Sequence, residues 1–249
     1  MFEARSYRNR HTSGKMDSFE INWLETDLWI GIDKGSYREE MRIFVLGKIV
    51  ELRTCLMGYN ETSHKFIYSL EPLAFDTEAP QVIQQMLSAG IKSNTGPMSS
   101  VAGVFAKYIG DSLAVKYQLK NVIVENGGDN YLLMSDLVVE LPIYAGESQV
   151  NKKIVLKVKP DETPLGICTS SGRIGHSKSF GKADAVTIVS KDIALADAYA
   201  TGLCNIIQDE SDINYTLARV RHIPEIATCI VILNNSIGII GQNEVLFLK

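Results

Sequence analysis

The chain has no run of apolar residues approaching the roughly 20 that a membrane-spanning helix needs. Its first fifteen residues, MFEARSYRNRHTSGK, lack the hydrophobic stretch of a secretory signal. A cytoplasmic protein with no membrane contact is the expectation. Cysteine is scarce: Cys55, Cys168, Cys204 and Cys229 stand far apart, with no C-x-x-C pair. This argues against a zinc site or a disulfide framework and fits a reducing compartment. Basic charge is not in excess either, since 25 Lys and Arg against 29 Asp and Glu leave a net charge of −4. Such a surface does not invite nucleic acid. Long linkers, low-complexity tracts and internal repeats are all missing. One domain over residues 1–249 is expected, with residues 1–15 as a flexible arm or edge element.

What is present is a succession of short periodic segments. FEINWLETDLWIGID (19–33) alternates apolar and polar residues in two bursts, as two strands or one bent strand would. From Ser36 to Met57 the spacing turns helical through Met41, Phe44, Val45, Ile49, Leu52 and Leu56, with Ser36 as the expected N-cap. Glu78 to Ile91 repeats that spacing. Asn94-Thr95-Gly96-Pro97 breaks it and opens a third helix. Beyond Asn121 the pattern is mostly β: 121–133 around Gly127-Gly128, then 137–144, 153–159, 165–169 and 185–189. A helix over 192–208 and a short one over 212–220 follow, and strands over 228–233, 237–240 and 245–248 close the chain. Helices segregated from consecutive strands predict an α+β fold, with helices packed on a mainly antiparallel sheet.

Chemistry concentrates between Gly166 and Asn205. A hydroxyl- and glycine-rich turn, Cys168-Thr-Ser170-Ser171-Gly172, leads into Arg173, His176, Lys178 and Lys182. Hydroxyls, backbone amides and cations together suit phosphate oxygens, although such turns also serve as solvated connectors. Asp197 and Thr201, four apart on the predicted helix, lie one above the other, a spacing able to share a hard cation or simply to face solvent. His176 reads as a phosphate donor, a general acid or a solvated loop histidine. Cys168, at a strand end beside the cations, reads as a stabilised thiolate or a small core residue. Glu125-Asn-Gly127-Gly128-Asp129-Asn130 is hairpin chemistry that would also let a ligand approach the backbone. The segment Gly175 to Lys182 is no Walker A loop: five residues separate its glycines and Ala183 stands where a metal-binding hydroxyl belongs.

Four blocks, WLETDLWIGID, GPMSSVAGVFAKYIG, VENGGDNYLL and GICTSSGRIGHSKSFGKADAVTIVSKDIALADAYATGL, span residues 23 to 203 and resemble the ApbE-like superfamily. The better-known members of that superfamily are FAD:protein FMN transferases, and the likeness is closest to its uncharacterised UPF0280 branch. The resemblance implies a T-fold-like α+β domain. It implies Mg²⁺ held by the Asp197 carboxylate, the Thr201 hydroxyl and the Ala200 carbonyl, and FAD or FMN as ligand or substrate. Gly127, Gly128 and Asp129 would frame the nucleotide. Ser170, Ser171, Gly172, Arg173 and Lys178 would contact phosphates, and His176 would match the histidine after the T-S-G turn. The chain departs from the transferases after His176, where the acid and proline of H-x-x-D-P-x-T-G are missing. It departs again at PMSSVAGV, which lacks the acid and lysine of D-x-G-x-I-A-K-G. Relatives in anaerobes are associated with sulfide assimilation into homocysteine, which would make Cys168 a sulfur carrier in an accessory sulfur-transfer protein. A non-catalytic binding subunit with a partner protein, or a homo-oligomer, is a further expectation.

Overall fold

The structure, a computed structural model, describes residues 14–146, 148, 151, 153–173 and 179–248. Strands β1 (Met16–Trp23) and β2 (Thr26–Asp33) form an antiparallel hairpin in which Met16 faces Asp33. Three helices follow: α1 (Glu40–Ser63), α2 (Gln81–Ser93) and α3 (Val101–Tyr117), the last entered through a 3-10 turn at Pro97–Ser100. The chain continues through β3 (Val122–Asn126), β4 (Asp129–Leu133), β5 (Val139–Pro142), β6 (Ile154–Val158), β7 (Leu165–Ser170) and β8 (Ala185–Ser190). It closes with α4 (Ile193–Ile206), α5 (Ser211–Val220), β9 (Thr228–Leu233), β10 (Ser236–Gly241) and β11 (Glu244–Phe247).

Eight strands make one antiparallel sheet in the order β1-β2-β3-β4-β7-β8-β9-β10, and a smaller antiparallel sheet runs β11-β6-β5. The large sheet is covered on both faces. Ile30, Val124, Cys168, Ile188 and Val231 look toward the helices, in one core with Val45, Met86, Ile109 and Ala198. Their neighbours Trp29, Ile123, Ile167, Val189 and Ile232 look toward Leu141 and Leu156 of the smaller sheet, in a second core. Double coverage is why β8 and β9 are buried at every position and are mainly apolar rather than alternating. This is the α+β architecture on a mainly antiparallel sheet that the sequence implies.

The start of α1 differs from expectation. Ser36 does not cap α1. The backbone is still turning there: Ser36 N–H donates to the Asp33 carbonyl (3.1 Å), and Gly35, at φ +77°, donates to the Asp17 carboxylate (2.8 Å). The helix begins four residues later and runs past Met57 until His64 takes a left-handed conformation.

Candidate functional site

Helix α4 is the element on which the site is built. Asp192 starts it, its Oδ1 accepting from the N–H groups of Ala194 (3.0 Å) and Leu195 (3.3 Å) as an N-cap. Two glycines on other elements let α4 sink between β7 and α3. A Cβ on Gly166 would lie 2.6 Å from Ile193 Cβ, and one on Gly103 would lie 3.1 Å from the Asp197 Cβ. The small residues of α4 are therefore packing chemistry, with Ala194, Ala196, Ala198 and Ala200 all buried.

Asp197 and Thr201 are buried as well, 6% and 8% exposed, which removes the solvent-facing reading of the pair. Asp197 Oδ2 accepts from the Gly103 N–H (2.8 Å) in the first turn of α3, where a negative charge meets the positive end of the helix. One turn on, Thr201 Oγ1 lies 3.0 Å from Ser170 Oγ at the end of β7. Ala200, fully buried, lies between these two positions on the same helix. The β3–β4 hairpin arrives from the other side. Gly127 (φ +70°) and Gly128 (φ +108°) make its turn, closed by Gly128 N–H donating to the fully buried Glu125 carboxylate (2.8 Å). The same hairpin docks on α3 through Asn126 Nδ2 and the Ala102 carbonyl (3.1 Å). The Asp129 carboxylate, directly after the glycines, acts electrostatically on both Asp197 and Cys168.

Burial pushes the Asp197 carboxyl well above the usual carboxylate range, and the Asp129 charge pushes it further up. The N–H groups of Gly103 and Ala102 oppose both. The consequence for stability has a definite sign. Because the folded value is raised, ionised Asp197 destabilises the cation-free protein once pH exceeds its ordinary value of 3.8, and that loss is complete above the folded value. A divalent cation that takes the carboxylate reverses this. Thermal melts across pH should show stabilisation by Mg²⁺ that grows from acid toward neutral pH. A Mg²⁺ effect that is flat with pH would contradict it.

Cys168 requires a correction. It is fully buried in the helix-side core, its Sγ 3.8 Å from the Ile193 carbonyl. Burial drives its thiol well above the ordinary thiol range, with the Asp129 and Asp197 charges adding to the rise. A thiol kept protonated and out of solvent does not suit a sulfur carrier. Of its two readings the small core residue is the one this burial fits, with the Asp129 and Asp197 carboxylates acting on the thiol. Cys204 and Cys229 are buried and Cys55 is partly exposed. Labelling of the native protein near neutral pH should therefore modify Cys55 first and spare Cys168. The Cys168→Ala variant should keep any ligand affinity while losing about 1–2 kcal/mol of stability to the cavity; lost affinity would restore a direct role.

The remaining expected residues divide. His176 and Lys178 lie outside the described residues. Arg173 is held by structure: its guanidinium donates to the buried Asp184 carboxylate (2.8 Å) and to Asn234 Oδ1 (3.1 Å). Asp184 also receives the Asn234 N–H. Gly172 is where backbone approaches backbone, since a Cβ there would lie 1.9 Å from the Gly181 carbonyl oxygen. Ser171 Oγ accepts from Arg173 N–H (3.1 Å) and braces the turn. Among the described residues no group of three or more His, Cys, Asp or Glu is set to hold a metal. A cation at Asp197 would draw its other donors from hydroxyl, carbonyl and ligand oxygens, which is magnesium chemistry. Two contributors escaped the sequence reading: Gly103, signalled only as a glycine inside a helix, and Asp184, an acid at the mouth of an apolar strand.

The flavinyl transferase ApbE of Pseudomonas stutzeri superposes with a TM-score of 0.56 at 14% identity, covering 91% of this chain and 94% of that one. The apbe protein of Thermotoga maritima gives 0.55 at 11% identity over 90% and 96%. At such identities the likeness establishes the fold. A family model described as AbpE bacteria matches residues 8–223. UPF0280 proteins of Methanocaldococcus jannaschii and Methanosarcina barkeri are 34% and 39% identical over 223 and 191 residues, covering 88% and 76% of this chain and 88% and 74% of theirs. The chain belongs to this ApbE-like family, in its UPF0280 branch. No helix among the described residues is long and apolar enough to cross a membrane.

Proposed function

We propose that this protein binds a flavin nucleotide, FAD or FMN, through Mg²⁺ at the Asp197–Thr201 face of α4. The observation that carries the reading is the arrangement of three chemistries around α4. These are a carboxylate burdened by burial and by a second carboxylate, a pair of hydroxyls one helical turn away, and a glycine hairpin that leaves backbone open to a ligand. Bound there, Mg²⁺ would neutralise phosphate oxygens and act as a Lewis acid. Asp197, Thr201 and the Ala200 carbonyl would hold the ion. Gly127, Gly128 and Asp129 would frame the nucleotide, while Ser170, Ser171 and the turn at Gly172 would offer hydroxyls and amides to its phosphates. Arg173 would lend its charge from the rim while remaining tied to Asp184. His176 and Lys178, on the same turn in sequence, are the proposed proton donor and phosphate cation.

The neighbours named as flavin transferases support a reaction at the pyrophosphate, either cleavage or transfer. Within this chain the groups available for it are those that bind, orient and exclude water. The hydrogen bond from Gly103 N–H to Asp197 favours a second reading, in which the carboxylate only caps α3 and the domain is a binding subunit without turnover. The absorbance spectrum and mass-spectrometric ligand content of freshly purified protein, with and without Mg²⁺, distinguish the readings. A flavin nucleotide retained with Mg²⁺ and released by chelator is expected. Protein free of any nucleotide that also fails to take one up would refute the proposal.

A further inference from the structure

The Arg173 guanidinium is gripped from two sides. Asp184, the residue before β8, holds a carboxylate whose side chain is 4% exposed. Its Oδ1 accepts from Arg173 Nη1 (2.8 Å) and its Oδ2 from the Asn234 N–H (2.5 Å). Asn234 closes the ring, its side-chain Oδ1 accepting from Arg173 Nη2 (3.1 Å). It is the first of the two residues joining β9 to β10 and takes a left-handed conformation at φ +55°. Asparagine tolerates that conformation better than most residues. The hairpin tip is fixed in turn by Ser148 Oγ, which donates to the Asn234 carbonyl (2.7 Å).

Stability is not a sufficient reason for this ring. Desolvating a carboxylate offsets most of what an ion pair returns, and an apolar contact would tie the turn as well. What the ring supplies is orientation, because a guanidinium is a planar fork whose donors point in fixed directions. Arg173 stands three residues after Ser170, whose Oγ is 3.0 Å from Thr201 Oγ1. Its side chain is 47% exposed, and a guanidinium carries more N–H donors than these two bonds use. Building on the flavin-nucleotide reading of this site, we infer that Asp184 and Asn234 are positioning residues. Without touching the ligand, they hold Arg173 so that its remaining N–H donors meet the phosphate oxygens of a nucleotide bound at α4.

The substitution that isolates the effect is Asn234→Gly. Glycine adopts φ +55° freely and keeps the backbone N–H that Asp184 accepts, so only the Oδ1 that orients Arg173 is lost. Titration of FAD with Mg²⁺ present should show affinity lowered about 5-fold at a nearly unchanged melting temperature. Arg173→Lys keeps a cation for the buried Asp184 but has no planar fork to orient. It should also weaken binding, and in that background Asn234→Gly should add nothing further. A purely structural role for Asn234 would give the same loss in both backgrounds. That result would overturn the inference, as would an Asn234→Gly variant that binds FAD as tightly as the parent does. A parent that takes up no FAD would defeat the flavin-nucleotide reading and this inference with it.

Discussion

The Asp197→Asn variant should fold at least as well as the parent and lose its magnesium-dependent grip on a nucleotide. Asparagine offers an oxygen to the Gly103 N–H that Asp197 now satisfies at 2.8 Å, so the start of α3 stays capped. It also removes a buried charge that the Asp129 carboxylate opposes. What asparagine does not supply is the full negative charge a hard cation prefers. Affinity with Mg²⁺ present should fall about 100-fold, a change of about 2.7 kcal/mol. Asp197→Ala is the less informative substitution. It leaves the Gly103 N–H buried without a partner, a cost of about 1–3 kcal/mol, and so mixes stability with binding. Melting curves and titrations on the asparagine variant separate the two. Unchanged nucleotide affinity would leave Asp197 as a helix cap and nothing more.

Gly181→Ala should bring the largest loss of stability of any single methyl group added to this chain near the site. Its Cβ would fall 1.7 Å from the Cys204 carbonyl oxygen at the end of α4 and 2.9 Å from that of Ile207, both backbone atoms. Gly181 in turn presents its own carbonyl to Gly172, and the strap is tied by hydrogen bonds from Gly172 N–H to the Ala183 carbonyl (2.9 Å) and from Lys182 N–H to the Ile207 carbonyl (2.7 Å). Neither side can yield without moving the end of β7 or of α4. Overpacking against backbone costs about 3 kcal/mol or more. A chemical denaturation midpoint far below that of the parent is expected. An unshifted midpoint would mean that the strap does not run where it is placed, and the turn at Gly172 with it.

The same glycines show how far the sequence could be read. The elements themselves were legible because each carries its period: four-three spacing through Met41, Val45, Ile49, Leu52 and Leu56, and the glycine pair between two β runs at 127–128. Local signals of this kind need no knowledge of the partner element. The nearness of Asp197, Thr201, Ser170 and Asp129 is a long-range fact. It depends on β7 lying between β4 and β8, and on Gly103 and Gly166 letting α4 descend, which only the assembled sheet decides. Charge was the poorest guide. Arg173 looks free in sequence and is bound to Asp184, while Cys168 sits near cations in sequence and near carboxylates in space. Ser36 misled for a related reason: a residue with capping chemistry was used in the turn before the helix.

Calorimetric titration of FAD into the purified protein, once with Mg²⁺ and once with chelator, tests the central claim most directly, with riboflavin as the ligand that lacks phosphate. Saturable binding of FAD with Mg²⁺, lost with chelator and never seen for riboflavin, is the predicted result. Equal binding of FAD in both buffers, or none in either, would contradict a metal-bridged nucleotide at α4.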